Sequence, residues 1–165
     1  MDIMKSTRHK KIIGDYGERL VCNWFSRSGF EVSFVDHTGI DVIAYNRSTN
    51  ERLGISVKAR TRDIGKEKDY VGIFRRGKNK NDRQKLLDAC IAFACEPWIA
   101  VYVETSDFGD LYLTNLGNFD KRYGGTDWKM GEKHRELYDK DPNIKHIRFE
   151  FHTTSWWSKD QVISP

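Results

Sequence analysis

The sequence predicts an α/β fold in which a central mixed β-sheet is flanked by helices. Two segments, at residues 11–28 and 82–95, carry apolar side chains at the spacing of amphipathic helices. The segments between and after them alternate, or are continuously apolar, as β-strands are. The chain has 165 residues, of which 38% are hydrophobic. That length suits one domain with a substantial core, so we expect residues 1–165 to form a single domain.

The first helix is expected from Lys11 to Ser28, ended by Gly29. Its predicted apolar face comprises Ile12, Ile13, Tyr16, Leu20, Val21, Trp24 and Phe25. At 100° per residue, Glu18 falls at the border of that face. A carboxylate there needs a partner or an ion. The simpler interpretation is an ion pair with Arg19 or with a lysine on another element.

Three strand segments follow, at residues 30–36, 40–46 and 53–60. In the second, Ile40, Val42 and Ala44 are expected to share the apolar face, with Asp41 opposite. In "GISVKAR", the alternation puts Ser56 and Lys58 on the polar face. If these two strands form a hairpin, like-facing side chains meet across about 5 Å. Asp41, Ser56 and Lys58 would then lie close together.

The rest of the chain continues the α/β pattern. We expect a short strand at 70–74, a helix from Asp82 to Cys95, a buried central strand at 98–104, its hairpin partner at 110–116, a polar loop at 117–131, a helix at 132–140 and a last strand at 144–153. The apolar stripe of the 82–95 helix is predicted to be Leu86, Leu87, Cys90, Ile91 and Ala94.

The positive charge of the chain is concentrated in one segment. The whole sequence has a net charge of +4, whereas residues 58–85 contain eleven basic and four acidic side chains, a local excess of +7. Such a concentration favours a polyanionic partner. A loop kept soluble by its charges is the alternative.

The stretches "GERL", "GIDVIAYN" and "GISVKAR" together resemble the PD-(D/E)XK nuclease superfamily, in particular its Holliday-junction-resolvase-like and restriction-endonuclease-like branches. The resemblance spans roughly residues 12–62. It implies a restriction-endonuclease-like core, a helical glutamate at Glu18, an aspartate at Asp41 and an acid-x-lysine triplet ending at Lys58. One position departs, because Ser56 stands where the family has Glu or Gln.

The resemblance implies a catalytic set of Glu18, Asp41, Ser56 and Lys58. It also implies Mg²⁺ or Mn²⁺ as cofactor, held by Glu18, Asp41 and the Val57 carbonyl. Serine is a neutral, weak ligand, so Ser56 should weaken the binding of a hard cation. We therefore expect a metal-dependent endonuclease that hydrolyses phosphodiester bonds in DNA. The alternative is a non-catalytic nucleic-acid-binding module on an inactivated nuclease fold.

The expected partner is DNA, double-stranded or branched, although nothing here separates DNA from RNA. The residues expected to contact it are Arg60, Arg62, Arg75, Arg76, Lys78, Gln84 and Lys85. A homodimer is a further expectation, since cutting two strands takes two sites, and Trp156 and Trp157 are candidates for its contact.

Single residues also have simpler interpretations. Asp41 could end a turn after Gly39, and Lys58 could protect an exposed edge strand. No apolar run approaches the ~20 residues that a membrane-spanning helix needs. The basic N-terminus is not followed by an apolar signal core, so a cytoplasmic protein is expected.

Overall fold

The computed structural model describes residues 5–75, 77 and 81–152. The helices are α1 (His9–Arg27), α2 (Asp82–Ala92), α3 (Leu116–Arg122) and α4 (Glu132–Asp139). The strands are β1 (Glu31–Phe34), β2 (Val42–Asn46), β3 (Glu51–Thr61), β4 (Val71–Gly72), β5 (Glu96–Glu104), β6 (Phe108–Asn115), β7 (Asp127–Trp128) and β8 (Lys145–Glu150).

Six strands form the central sheet in the order β1-β2-β3-β5-β6-β8. Only the β3–β5 pair is parallel, and α2 lies in the crossover that joins these two strands. All other neighbouring strands in this sheet are antiparallel. The sheet is therefore mixed, and the predicted fold class is confirmed. The two short strands β4 and β7 form a second, antiparallel sheet.

Helices cover both faces of the central sheet. Helix α1 packs on one face, where Val21 and Leu20 join a core with side chains of β2, β3 and β5. Helices α2, α3 and α4 pack on the other face through Leu86, Phe119 and Tyr138. None of the described helices is long and apolar enough to span a membrane.

The buried face of α1 differs from the predicted one. Ile12 and Tyr16 are 55% and 44% exposed, so their assignment to the core is wrong. The buried positions are Ile13, Gly17, Leu20, Val21 and Cys22. The buried face is turned toward Gly17 because the absence of a side chain there lets the helix approach β3 closely. Glu18, next to Gly17, is half-buried at the border of this face, as predicted.

Two further predictions about element boundaries are wrong. Helix α2 ends at Ala92, because Ala94 adopts a left-handed conformation and the Cys95 amide donates to the Cys90 carbonyl at 2.8 Å. Ile91 is 79% exposed and is not part of the apolar stripe. The segment 117–131 is not only a loop. It contains most of α3, which begins where the Asn115 side chain accepts from the Asn118 amide, and all of β7.

A buried carboxylate ties β6 to β8 and α4. Asp110 has no solvent exposure, and both of its oxygens accept from the Arg148 guanidinium at 2.8 and 2.9 Å. Arg135 of α4 contacts the same carboxylate, and the His146 Nε2 lies 2.8 Å from its Oδ1. The guanidinium groups of Arg135 and Arg148 lie over the ring of Phe108, at 5.2 and 4.4 Å from its centroid, respectively. An ion-pair network therefore connects β6 with its neighbour β8 and with α4.

Replacing Gly17 with alanine is expected to lower the free energy of unfolding by about 1–2 kcal/mol, because overpacking at a close contact forces the helix away from β3. A Cβ at Gly17 would lie 2.7 Å from the Cβ of Ala59. Gly14 is the matched control on the same helix, since a Cβ there meets nothing within 4 Å. Gly14→Ala should stabilise the protein by about 0.5–1 kcal/mol. Urea unfolding of both variants tests this, and equal stabilities would contradict it.

Candidate functional site

A polar cleft of about 420 Å³ lies where α1, the start of β2 and the middle of β3 meet. The residues implied by the family resemblance line it: Glu18, Asp41, Ser56, Val57 and Lys58. Glu18 comes from α1, Asp41 from the position before β2, and the other three from β3. The expected pairing of the two strands and the border position of Glu18 predicted this convergence. A second, mostly apolar cavity of about 510 Å³ lies elsewhere, against Trp24 and Trp98. We place the candidate site in the polar cleft because it brings together two carboxylates and an amine.

Glu18 faces the cleft from α1. Among the described residues it has no ion-pair partner within 4 Å, so the predicted simpler interpretation, an ion pair with Arg19 or a lysine, is not observed there. Arg19 instead lies over the ring of Phe34, at 5.2 Å from its centroid. Burial raises the pKa of Glu18, and the negative charge of Asp41 raises it further. An unpaired carboxylate next to a second one favours a cation as the missing partner.

Asp41 lies beside β3, in the position immediately before β2. Its Oδ2 accepts a hydrogen bond from the Val57 amide at 2.6 Å. Its backbone also joins the sheet, since its amide donates to the Ile55 carbonyl at 2.9 Å. Burial raises the pKa of Asp41, while the Val57 hydrogen bond and the charge of Lys58 oppose that rise. Asp41 thus lies on the bend before β2 and is hydrogen-bonded to β3 through both its backbone and its side chain.

The prediction that Ile40 shares one face with Val42 and Ala44 is wrong. Ile40 is buried in the core beneath α2, whereas Val42 and Ala44 are buried in the core beneath α1. The regular strand begins only at Val42, because the chain bends at Asp41. The Asp41 side chain therefore lies alongside β3, where it accepts the hydrogen bond from the Val57 amide.

Lys58 lies on β3, which pairs with β2 on one side and with β5 on the other. It stands opposite Val101 of the parallel strand, so the interpretation as a protector of an exposed edge strand is wrong. Lys58 is half-buried, and its positive charge acts on Glu18, Asp41 and Asp82. Ser56, two residues earlier, is 9% exposed. An interior strand of the sheet therefore carries Lys58 into the cleft, where its charge acts on three carboxylates.

The predicted DNA-contacting residues do not all reach the cleft. Arg60 and Arg75 line it. Asp82 holds Arg75 with two bonds of 2.8 Å, from Nε to Oδ2 and from Nη2 to Oδ1. Gln84 is not at the cleft and donates to Asp88 on its own helix at 2.7 Å. Of the remaining predicted residues, Arg62 and Lys85 do not line the cleft, and Arg76, Lys78, Trp156 and Trp157 lie outside the described residues.

Two charged residues at the cleft, Lys10 and Asp82, were not identified from the sequence. Lys10 lines it from the same face of α1 as Glu18, two turns earlier, with Gly14 between them at intervals of four residues. This four-residue spacing is a helical signal that could have identified Lys10. Asp82 begins α2 and comes to the cleft only through the packing of that helix. No local pattern predicts the position of Asp82.

The cleft has few metal-ligating side chains. The described part of the chain contains no group of three or more His, Cys, Asp or Glu residues placed to hold a metal ion. Glu18 and Asp41 supply two hard oxygen donors, and Val57 also lines the cleft. Two carboxylates with additional waters are a sufficient protein contribution for Mg²⁺. This donor set therefore fits a hard divalent ion.

Comparisons with known proteins point to one fold. No protein-family model matches the chain, and no curated protein is similar to it in sequence. Among solved structures, the protein is similar to the Holliday junction resolvase Hjc of the archaeal hyperthermophile Archaeoglobus fulgidus. That likeness has a TM-score of 0.51 at 17% identity and covers 75% of this chain and 88% of the resolvase. The chain thus has the restriction-endonuclease-like fold that its sequence predicted.

Proposed function

We propose that this protein is a metal-dependent nuclease that hydrolyses phosphodiester bonds in DNA. The observation that carries the proposal is the convergence of Glu18, Asp41 and Lys58 on one polar cleft. The likeness to a Holliday junction resolvase supports DNA as the substrate, with branched DNA included. The excess positive charge between residues 58 and 85 supports a polyanionic substrate independently.

Glu18, Asp41 and the Val57 carbonyl are the groups that would hold Mg²⁺ or Mn²⁺. When bound, such an ion supplies a polarised water and a positive charge against the phosphate oxygens. The hydrogen bond from the Val57 amide orients the Asp41 carboxylate before any ion arrives. The raised pKa of both carboxyls follows first from burial, so a cation at the cleft restores their ionised forms.

Lys58 and Arg75 act on the substrate phosphate. The Lys58 ammonium orients the attacking water and stabilises the negative charge that develops on the phosphate oxygens. Because Lys58 is half-buried, its charge is screened less than that of a surface lysine. Arg75 is held at the cleft wall by Asp82 and binds a non-bridging phosphate oxygen.

The direct test is a cleavage assay on a supercoiled plasmid and on a synthetic four-way junction, each with Mg²⁺ and with Mn²⁺. We expect nicked or resolved products that depend on the divalent ion and disappear with EDTA. Intact substrates under all four conditions would contradict the proposal.

A non-catalytic nucleic-acid-binding module is the second candidate function. It is favoured by the small donor set, because Ser56 occupies the position where a third acidic ligand would add negative charge. This module should bind DNA with a strong dependence on salt and should not take up a divalent ion.

Divalent-ion uptake separates the two candidates without an activity assay. At ten times its dissociation constant, Mn²⁺ should stabilise the nuclease by about 1.4 kcal/mol. For a domain of this size, the melting temperature then rises by about 3–6 °C. The rise should grow with pH, because protons compete for carboxyls whose pKa is raised by burial.

Glu18→Gln is the control for this measurement, and it should remove the Mn²⁺-dependent rise. Without metal, this variant should be at least as stable as the wild type at neutral pH. A carboxyl with a raised folded-state pKa favours folding only while it is protonated, and that contribution is lost as the pH rises through its folded-state pKa. An equal rise in both proteins would show that Mn²⁺ binds elsewhere.

A further inference from the structure

A further cavity, of about 450 Å³, adjoins the cleft at the end of β3 and the start of α1. We call it the flanking cavity, and its basic lining residues are Lys5, His9, Lys10, Arg60 and Arg62. Lys10 and Arg60 also line the polar cleft. The two spaces are therefore neighbours that share two cationic side chains.

The positive charge of the flanking cavity is only partly compensated. Lys5 pairs with Asp63, its Nζ 2.6 Å from the Oδ1. Lys10, Arg60 and Arg62 have no ion-pair partner within 4 Å among the described residues. Within the described part of the chain, no acidic residue lines the cavity, and Ile13 and Ala59 form its apolar wall. Three cations next to one another favour an anion between them.

Arg62 places a positive charge at a fixed position in the wall of the flanking cavity. Its Nη2 donates to the Tyr70 carbonyl at 2.7 Å, which holds the guanidinium in place. Its Nε is buried and has no hydrogen-bond partner among the described residues. A buried donor without a partner is costly, and a charged one more so. Because Arg62 also lacks an ion-pair partner among the described residues, an oxyanion in the flanking cavity would compensate its charge.

The strand end and the helix start are also held together at this cavity. The His9 Nε2 lies 2.7 Å from the Thr61 Oγ1, and the Arg62 amide donates to the Glu104 carbonyl at 2.7 Å. The cationic side chains therefore project from backbone that is fixed to the sheet. A site on such rigid elements is organised before its ligand arrives.

We propose that the flanking cavity is a second phosphate subsite, which binds a backbone phosphate next to the one held in the cleft. This inference rests on the proposed function, because it assumes a nucleic-acid strand in the cleft. Lys10 and Arg60 contact both phosphates, so one strand runs across the two spaces. Contacts to the backbone alone carry no sequence information, so the subsite raises affinity for every sequence alike.

The test measures binding without cleavage. A fluorescein-labelled DNA duplex is titrated with protein in EDTA at several KCl concentrations, and anisotropy gives the dissociation constant. Arg62→Gln, at a position that lines the flanking cavity and not the cleft, should raise that constant about 3–10-fold. It should also reduce the slope of the logarithm of the binding constant against the logarithm of the salt concentration by about 1. Lys133→Gln, an exposed lysine on α4 that lines neither space, should change neither quantity. Arg62 is half-buried, so circular dichroism checks that the Arg62→Gln variant keeps its fold.

The outcomes for the subsite and for the nuclease are separable. A wild-type salt slope for Arg62→Gln, together with DNA cleavage by the wild-type protein, overturns the subsite and leaves the nuclease standing. A reduced slope for Arg62→Gln, together with no DNA cleavage by the wild-type protein, supports the subsite and removes the nuclease. A mononucleotide that competes for the cavity as strongly as the duplex would show a small-anion site and overturn the backbone subsite.

Discussion

Asp41→Asn and Lys58→Met are each expected to lower the rate of DNA cleavage about 100- to 1000-fold. Asparagine keeps an oxygen that can accept from the Val57 amide, so this variant removes the negative charge and preserves the local fold. Methionine keeps the length of the Lys58 stem and removes the ammonium. Loss of one group that stabilises transition-state charge typically has an effect of this size. The rates are measured on plasmid and four-way-junction substrates at saturating protein.

The matched controls are Asp107→Asn and Lys133→Met, both at exposed positions away from the cleft. They should cleave at the wild-type rate. DNA binding by Asp41→Asn, measured without divalent ion, should stay within about 3-fold of wild type, which separates chemistry from affinity. If both cleft variants cleave as fast as the controls, the proposed active site is wrong.

Asp110→Asn is expected to lower the free energy of unfolding by about 3 kcal/mol, because it leaves two arginines facing a buried neutral group. In a domain of this size the melting temperature should fall by about 6–12 °C. Asp107→Asn is again the control, since Asp107 is exposed on the turn that precedes β6. This substitution should change the free energy of unfolding by no more than about 0.5 kcal/mol. Urea unfolding followed by circular dichroism measures both.

The difference between Asp110→Asn and the wild type should shrink in acid. Burial alone would raise the pKa of Asp110, but hydrogen bonds from His146 and Arg148, with the charges of the two arginines, hold it below its usual range. Stability from such a carboxylate is present above its unfolded-state pKa and is lost as the pH falls toward its folded-state pKa. A difference that stays constant from neutral pH down to pH 3 would contradict this origin.

Local periodicity predicted most of the elements. The alternation in "GISVKAR" identified a strand with Lys58 on its polar face, and the helical spacing put Glu18 at a border. Both statements depend only on residues that are near in sequence. The predictions that are wrong depend on distant neighbours. Ile12 and Tyr16 are exposed because Gly17 brings the opposite side of α1 against β3, and Ile40 turns to the other core because the chain bends before β2.

The amino-acid sequence alone determined the order of helices and strands around the site, the fold class and the chemical character of Glu18, Asp41 and Lys58. Only the tertiary structure decided that β3 is an interior strand, that Asp82 and Lys10 join the cleft, and that Arg62 lies in a neighbouring cavity. The physical reason is the range of the interactions. The repeat with which side chains return to one face of a helix or strand depends on residues that are close in sequence. Strand pairing and helix docking instead bring together residues that are far apart along the chain.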